Sequence, residues 1–194
     1  MKVRWFPAET VSVSIGQAMA VTPVQLARVA AVVANGGNLV TPHLMRSIGG
    51  KPVPAPARQP LGLRPDVIQV MRAAMLSVVE EGTGQRAKLE GIAVAGKTGS
   101  AQVVTHARLE RDKKLRAYQP HGWFMFFTPA VGDKPALAGA VLVEHGVQGG
   151  QSAAPVVGRA LARYYGVRAI GPGMALPEQP VPDPSPLPAL RAAR

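Results

Sequence analysis

The sequence predicts an α/β protein of the α+β type, in which an antiparallel sheet is flanked by helices. Three strand-like apolar runs occupy residues 91–104, 122–128 and 137–144. The last two runs are joined by a short turn at residues 132–135, which predicts an antiparallel pair. Two helical segments come before these strands and one follows them, so the strands form one consecutive group.

The first predicted helix begins with a capping box. Thr22 can cap the helix, Pro23 suits its first position, and Gln25 completes the box. The glycines at residues 36–37 predict its end, because glycine readily takes a positive φ. The expected buried stripe consists of Leu26, Val29, Ala30 and Val33.

Two further helices follow from the 3.6-residue period. One begins near Pro65 and ends at residues 80–84, with Met71 and Met75 expected as gap-filling core residues. Its predicted buried face consists of Val67, Val70, Met71, Ala74 and Val78. The other follows Ser152 and ends at Gly166. Its predicted stripe consists of Val157, Ala160, Leu161 and Tyr164.

The remaining segments give weaker signals. The alternation of Val11, Val13 and Ile15 predicts a short strand. Residues 49–62 are rich in proline and glycine and predict a loop. The proline-rich segment 171–194 predicts an extended, disordered tail after a domain at residues 1–170. Trp123, like Tyr164, is expected in the core.

Composition excludes several classes of protein. The chain has 194 residues, enough for one domain with a core, and it has no cysteine for disulfides or thiolate metal sites. We find no apolar run of about 18 residues that could span a membrane. The N-terminal residues lack the apolar core of an export signal.

The formal net charge of +11 raises the question of nucleic-acid binding. Aromatic residues are few and do not alternate with basic residues, as a base-stacking platform requires. We therefore expect no nucleic-acid partner; attraction to an anionic envelope surface is a milder alternative. The densest basic patch, expected as a solvated loop, consists of Arg108, Arg111, Lys113, Lys114 and Arg116.

One motif places a lysine and two hydroxyl side chains inside an otherwise apolar segment. Gly96-Lys97-Thr98-Gly99-Ser100 interrupts a run that otherwise favours a buried strand. Residues 91–98 satisfy the spacing of a phosphate-binding loop, G-x-x-x-x-G-K-[ST]. That loop requires a helix beginning at the lysine, whereas the flanking residues here are strand-like on both sides. A continuous strand with the Lys-Thr-Gly motif of penicillin-reactive serine acyl-transferases is the better interpretation.

No other set of residues predicts a metal or cofactor site. His43, His106, His121 and His145 show no ligand spacing, so structural or solvated roles are expected. Glu144 follows an apolar strand, as an acid of a nucleotide hydrolase would, but without a credible phosphate loop we discount it. We expect neither a cofactor nor a metal ion.

An ordered set of motifs over roughly residues 5–166 resembles the C-terminal half of a class B penicillin-binding protein transpeptidase domain, of the penicillin-binding protein 2 type. Lys-Thr-Gly alone is a weak signal, whereas the ordered set is specific. Its members are Trp5-Phe6-Pro7, Ser14-Ile15-Gly16-Gln17, Thr22-Pro23 with Gln25-Leu26-Ala27, Ala34-Asn35-Gly36-Gly37, Pro42-His43-Leu44, Gly82-Thr83-Gly84, residues 95–103, His121-Gly122-Trp123-Phe124, Val143-Glu144-His145-Gly146 and Ala154-Pro155.

The resemblance implies a partial serine transpeptidase/β-lactamase-like fold and a peptidoglycan D,D-transpeptidase activity. It implies that Lys97 supplies positive charge, that Thr98 and Ser100 bind the substrate carboxylate, and that Gly99 leaves room for the substrate. The Ser100 N–H would be an oxyanion-hole donor. The implied partners are peptidoglycan stem peptides, β-lactams and cell-elongation membrane proteins, and the implied place is an inner-membrane-anchored domain outside the cytoplasm.

The sequence departs from the family in two motifs. No serine has a lysine three positions on, so the nucleophile motif S-x-x-K is absent, and S-x-N is absent as well. We therefore expect a fragment that does not perform the transfer alone, with the edge of the strand at residues 137–144 uncovered. A non-catalytic module that binds carboxylate-terminated peptides through Lys97, Thr98 and Ser100 remains an alternative.

Overall fold

A computed structural model describes residues 6–17, 19–104, 115–130 and 137–174 of the chain. Predictions for the turn at residues 132–135, for His106, for most of the basic patch and for the tail beyond residue 174 lie outside the described residues. In chain order the helices are α1 (Pro7–Ser14), α2 (Pro23–Ala34), α3 (Pro65–Glu80) and α4 (Gly149–Tyr165). No described helix is both long enough and apolar enough to cross a membrane.

Within the described residues, the strands form one three-stranded sheet and two short ladders. The main sheet consists of β5 (Ala95–Ala101), β6 (His121–Thr128) and β7 (Leu137–Val143), antiparallel and in that order. The register places Thr98 opposite Phe124, and Phe124 opposite Val141. The predicted antiparallel group of strands is therefore confirmed. The short ladders pair β1 (Asn38–Leu39) with β4 (Gln59–Pro60), and β2 (Ser47–Ile48) with β3 (Lys51–Pro52).

The main sheet lies between two helical layers because side chains alternate between its faces. On one face, Phe124 packs with Val157 and Leu161 of α4. On the other face, Phe127 packs with Met75 of α3 and with residues of α2. The central strand β6 thus contributes one fully buried phenylalanine to the core on each face of the sheet. Because β5 pairs with β6 from Ala95 to Ala101, this packing also positions β5.

The helix α2 follows the prediction closely. The Thr22 hydroxyl accepts the Gln25 N–H at 3.2 Å, and the Thr22 N–H donates to Gln25 Oε1 at 2.8 Å, so the capping box is confirmed. Ala30 and Val33 are buried as expected, whereas Val29 is exposed. Gly36 after the helix has a φ of 81°, which confirms the expected end.

The strand expected around Val11 and Val13 is wrong, because these residues belong to α1. Two local signals favour the helix over the alternation. Pro7 occupies its first turn, and the Glu9 carboxylate accepts the Phe6 N–H at 2.7 Å, so the start of the helix is capped. Capping chemistry outweighs a two-residue period that covers only three β-branched side chains.

The predicted buried face of α3 is wrong. Ile68, Met75 and Val79 are buried, while Val67, Val70 and Met71 are exposed. Apolar residues lie on more than one side of this helix, so its sequence pattern does not single out the stripe that faces the sheet. The expectation of a core methionine holds for Met75 and fails for Met71.

The helix α4 begins at Gly149, so Ser152, expected to precede the helix, lies within its first turn. Val157 and Leu161 are buried as expected, and Gly166 ends the helix with a φ of 66°. Tyr164 is 64% exposed, so its expected core position is wrong. Ala160, expected in the buried stripe, is exposed, and Trp123, expected in the core, is half-buried. The loop expected at residues 49–62 contains the two-residue strands β3 and β4.

The segment that leads into β5 is tied to the chain after α4. Leu89 and Ala169 form an antiparallel bridge, and Arg168 donates to both carboxylate oxygens of Glu90 at 2.9 Å. The Arg168 hydrogen bonds and charge hold the pKa of Glu90 below its usual value. This contribution to stability is present above the usual carboxyl pKa and is lost as the pH falls through the lowered one.

Candidate functional site

The Lys-Thr-Gly-Ser motif lies within β5, and the phosphate-loop alternative is wrong. Lys97 pairs with Met125 and Thr98 with Phe124, so both residues are extended and part of the sheet. The strand continues to Ala101, and no helix begins at the lysine. A phosphate site of that type needs helix N-terminal amides at this point, and the described chain places none there.

The glycines around the motif permit close packing. A Cβ on Gly96 would lie 2.3 Å from Cζ of Phe124, so the buried phenylalanine ring requires a glycine there. A Cβ on Gly149 would lie 1.9 Å from the Trp123 carbonyl oxygen, and one on Gly150 would lie 2.2 Å from that of Thr83. These glycines let the first turn of α4 approach the sheet beside the motif, which fixes the position of β5.

The outer edge of β5 is unpaired in the described residues, and the strand's alternation decides which main-chain groups face it. The Ala93 carbonyl accepts the Ala130 N–H at 2.8 Å, so odd-numbered residues here direct their main-chain groups toward β6. The Thr98 carbonyl accepts from the Lys97 ammonium, and the Ser100 carbonyl accepts from the Gln17 side-chain amide at 3.4 Å.

The main-chain groups of Thr98 and Ser100 therefore point away from β6, because N–H and C=O groups of one residue in an antiparallel strand point to the same side. An extended ligand on this edge would meet the N–H and C=O groups of both residues. Lys97 and Ser100 have exposed side chains, and Thr98 is half-buried. The motif thus offers a cation, hydroxyls and main-chain groups that pair with no neighbouring strand in the described residues, all along one strand edge.

Thr83 belongs to this constellation, although sequence reasoning gave it no role. Its hydroxyl lies 2.7 Å from the hydroxyl of Thr98, and its side chain is exposed. The first turn of α4 packs closely against the Thr83 carbonyl at Gly150. The signal in the sequence is the triplet Gly82-Thr83-Gly84, in which a hydroxyl between glycines ends a helix shortly before the motif strand.

Comparison with known proteins identifies the family. Residues 1–162 match the sequence model described as the penicillin binding protein transpeptidase domain, which is most of the chain. This chain belongs to the penicillin-binding protein transpeptidase family. The resemblance predicted from the motifs is therefore confirmed, and so is the antiparallel sheet with flanking helices.

Three relatives show the extent of the similarity. The peptidoglycan D,D-transpeptidase MrdA of Acinetobacter baumannii is 40% identical over 162 residues, which cover 78% of this chain. A ceftriaxone acyl-enzyme complex of penicillin-binding protein A from Mycobacterium tuberculosis is 34% identical over 77% of this chain, with a TM-score of 0.62. A complex of penicillin-binding protein 2 and MreC from Helicobacter pylori is 27% identical over 83% of it, with a TM-score of 0.65.

The match covers only part of each relative. It spans 24% of the length of MrdA, 34% of penicillin-binding protein A and 28% of penicillin-binding protein 2. The family assignment therefore applies to the matched residues of this chain. The activity, substrates and partners of the whole relatives reach this chain only as proposals.

Two histidines of this penicillin-binding protein domain hold together the end of the sheet at which β5 ends, since His121 pairs with Ala101. His121 and His145 lie edge to face with ring centroids 4.9 Å apart. His121 Nδ1 accepts the His145 N–H at 3.0 Å, and His145 Nδ1 lies 3.2 Å from the Gln119 carbonyl. These contacts join the start of β6 to the end of β7. The described residues contain no group of three or more metal-ligating side chains.

Proposed function

We propose that this chain supplies the acyl-donor edge of a peptidoglycan D,D-transpeptidase. The observation that carries the proposal is the unpaired edge of β5, where Lys97, Thr98 and Ser100 lie side by side in a chain of this family. Docking of an extended peptide on a sheet edge uses main-chain hydrogen bonds for affinity and side chains for specificity. Both kinds of group are present on this strand.

The substrate in this proposal is a stem peptide that ends in D-Ala-D-Ala. Its terminal carboxylate is bound by the hydroxyls of Thr98 and Ser100 and attracted by the Lys97 ammonium, since charge-assisted hydrogen bonds are the strongest available to an exposed anion. Gly99 leaves room beside the strand. Thr83 keeps the Thr98 hydroxyl oriented through their hydrogen bond.

The Ser100 N–H then serves as one oxyanion-hole donor. It lies on the unpaired edge, where the carbonyl of the scissile bond can accept it as negative charge develops on that oxygen. A serine nucleophile attacks this carbonyl, the terminal D-alanine leaves with a proton on its nitrogen, and the acyl group remains esterified to the serine. In the second step, an amine on a neighbouring peptidoglycan strand attacks the serine ester and receives the acyl group, and the serine is released.

In the proposal the nucleophile comes from polypeptide outside this sequence, because S-x-x-K and S-x-N do not occur in it. The chain together with a polypeptide that carries these motifs is here called the assembled domain. In the proposal residues 1–170 belong to the transpeptidase domain. Of the segment expected as a tail, residues 171–174 pack on that domain, since Met174 is buried. β-Lactams acylate the same serine, in keeping with the acyl-enzyme complex of penicillin-binding protein A.

The proposal extends to the setting of the assembled domain. We place it outside the cytoplasm on a membrane-anchored protein of cell-wall synthesis. The complex of a related penicillin-binding protein 2 with MreC supports a partner among cell-elongation proteins. A second candidate function, a non-catalytic module for carboxylate-terminated peptides, is favoured by one observation, the lack of the nucleophile motif in this sequence.

Replacing Lys97 with alanine is expected to weaken binding of a D-Ala-D-Ala peptide by about 10- to 100-fold, because a hydrogen bond to a charged group contributes about 1.5–3 kcal/mol. The measurement is a nuclear magnetic resonance titration of the chain with acetylated Lys-D-Ala-D-Ala. Lys51→Ala, which removes an exposed lysine from the β2–β3 ladder, should leave the affinity unchanged. Equal affinities for wild-type and Lys97→Ala chains would contradict the proposed role of Lys97 in binding the terminal carboxylate.

A further inference from the structure

The unpaired edge of β5 already has one occupant at its C-terminal end. The Gln17 side-chain amide donates to the Ser100 carbonyl at 3.4 Å. The main chain after α1 holds Gln17 in place, because its N–H donates to the Ser12 carbonyl at 2.9 Å and Gly16 turns the chain with a φ of 81°. The contact therefore joins a fixed turn to the acceptor that a ligand on this edge would use.

The acyl donor of the proposed function needs the same acceptor. In an antiparallel ladder, two residues that face each other as a hydrogen-bonded pair exchange both N–H···O bonds. If the carbonyl of the penultimate D-alanine accepts the Ser100 N–H, the N–H of that same D-alanine donates to the Ser100 carbonyl. Gln17 and the substrate amide therefore compete for one oxygen atom.

We propose that Gln17 is a specificity-determining residue that occupies the Ser100 carbonyl in the free site, so that a substrate amide must displace it whereas an ester leaves it in place. Gln17 thereby narrows the preference of the site for the amide over the ester. This inference rests on the proposed function. A ligand with an amide at this position replaces the hydrogen bond it displaces. A ligand with an ester oxygen at this position has no N–H to donate to the Ser100 carbonyl. The hydrogen bond from Gln17 to that carbonyl therefore stays in place.

The contact is suited to displacement. At 3.4 Å it is longer than a typical N–H···O bond, and Ser100 is exposed, so water can compete for the carbonyl. None of the eight residues of α1, all of which are described, is buried, so a shift of this helix would disturb no buried α1 side chain. Gln17 thus occupies the Ser100 carbonyl through a weak contact, and a ligand can displace it from the edge of β5.

The test compares two peptides on two chains. One peptide is acetylated Lys-D-Ala-D-Ala, and the other carries D-lactate in place of the penultimate D-alanine, which changes only the N–H to an ester oxygen. Gln17→Met removes the amide and keeps the length of the side chain. Gln59→Met, in the β1–β4 ladder, is the matched control. The measurement is the dissociation constant of each pair by nuclear magnetic resonance titration.

We expect Gln17→Met to bind the amide peptide about two- to fivefold more tightly than the wild-type chain, the lower part of the range for one exposed hydrogen bond, and to bind the ester peptide equally well. Weaker or unchanged binding of the amide peptide by Gln17→Met would overturn the inference and leave the proposed function standing. An equal gain for both peptides would also overturn it. No binding of either peptide by any chain would overturn the proposed function and this inference together.

Discussion

Replacing Ser100 with proline is expected to slow acylation of the assembled domain by penicillin about 10²- to 10³-fold, the usual cost of removing one oxyanion-hole donor. The three-stranded sheet should stay folded, because the Ser100 main-chain groups face the unpaired edge and proline is tolerated where an edge N–H faces away from the ladder. The measurement is the second-order rate constant for labelling by a fluorescent penicillin.

Two control variants separate the lost N–H from other changes. Ser100→Ala removes the hydroxyl and keeps the N–H, so it should cost much less than Ser100→Pro. Gly99→Pro removes an N–H that faces β6, and it should disrupt the sheet, as seen by circular dichroism. If Ser100→Pro unfolds the chain while Gly99→Pro does not, the assignment of main-chain groups along β5 is wrong.

Phe124→Ala is expected to lower the free energy of unfolding by about 3–5 kcal/mol, the range for truncating a buried phenylalanine. Phe124 is fully buried between the sheet and α4, and its ring lies directly over Gly96 of the motif strand. Its loss therefore removes core packing and support for β5 at once. The measurement is urea unfolding of the chain followed by circular dichroism.

Phe126→Ala is the matched control for Phe124→Ala. Both residues lie on the same face of β6, but Phe126 is only half-buried and packs over Gly139 of β7. Its truncation should cost clearly less, and it should leave the resonances of Lys97 and Thr98 in place. Equal losses of stability for the two variants would show that Phe124 has no special role under the motif strand.

Local chemistry made much of the fold predictable. The capping box of Thr22 and Gln25, the glycine at residue 166 and the group of strands all have short-range causes, and all are confirmed. The failures have tertiary causes. Met71 and Met75 are four residues apart and lie on the same side of α3, so the helical period does not separate them. Only the position of the sheet decides that Met75 is buried and Met71 is exposed.

The candidate site was predictable in part for a similar reason. The flanks of Lys97 were strand-like, so the distinction between a strand motif and a phosphate loop could be made from the residues alone. The hydrogen bond between the hydroxyls of Thr83 and Thr98 and the contact of Gln17 with Ser100 join residues that are distant in sequence. Neither pairing has a spacing signal, because the pairings depend on how two turns pack against the strand.

Labelling by a fluorescent penicillin tests most directly whether the serine nucleophile lies on a polypeptide other than this chain. The chain alone should remain unlabelled, and it should become part of a labelled species when a polypeptide with the S-x-x-K and S-x-N motifs is co-expressed to form the assembled domain. Lys97→Ala should suppress that labelling, whereas Lys51→Ala should not. Covalent labelling of the chain by itself would contradict the account, because it would place the nucleophile within these 194 residues.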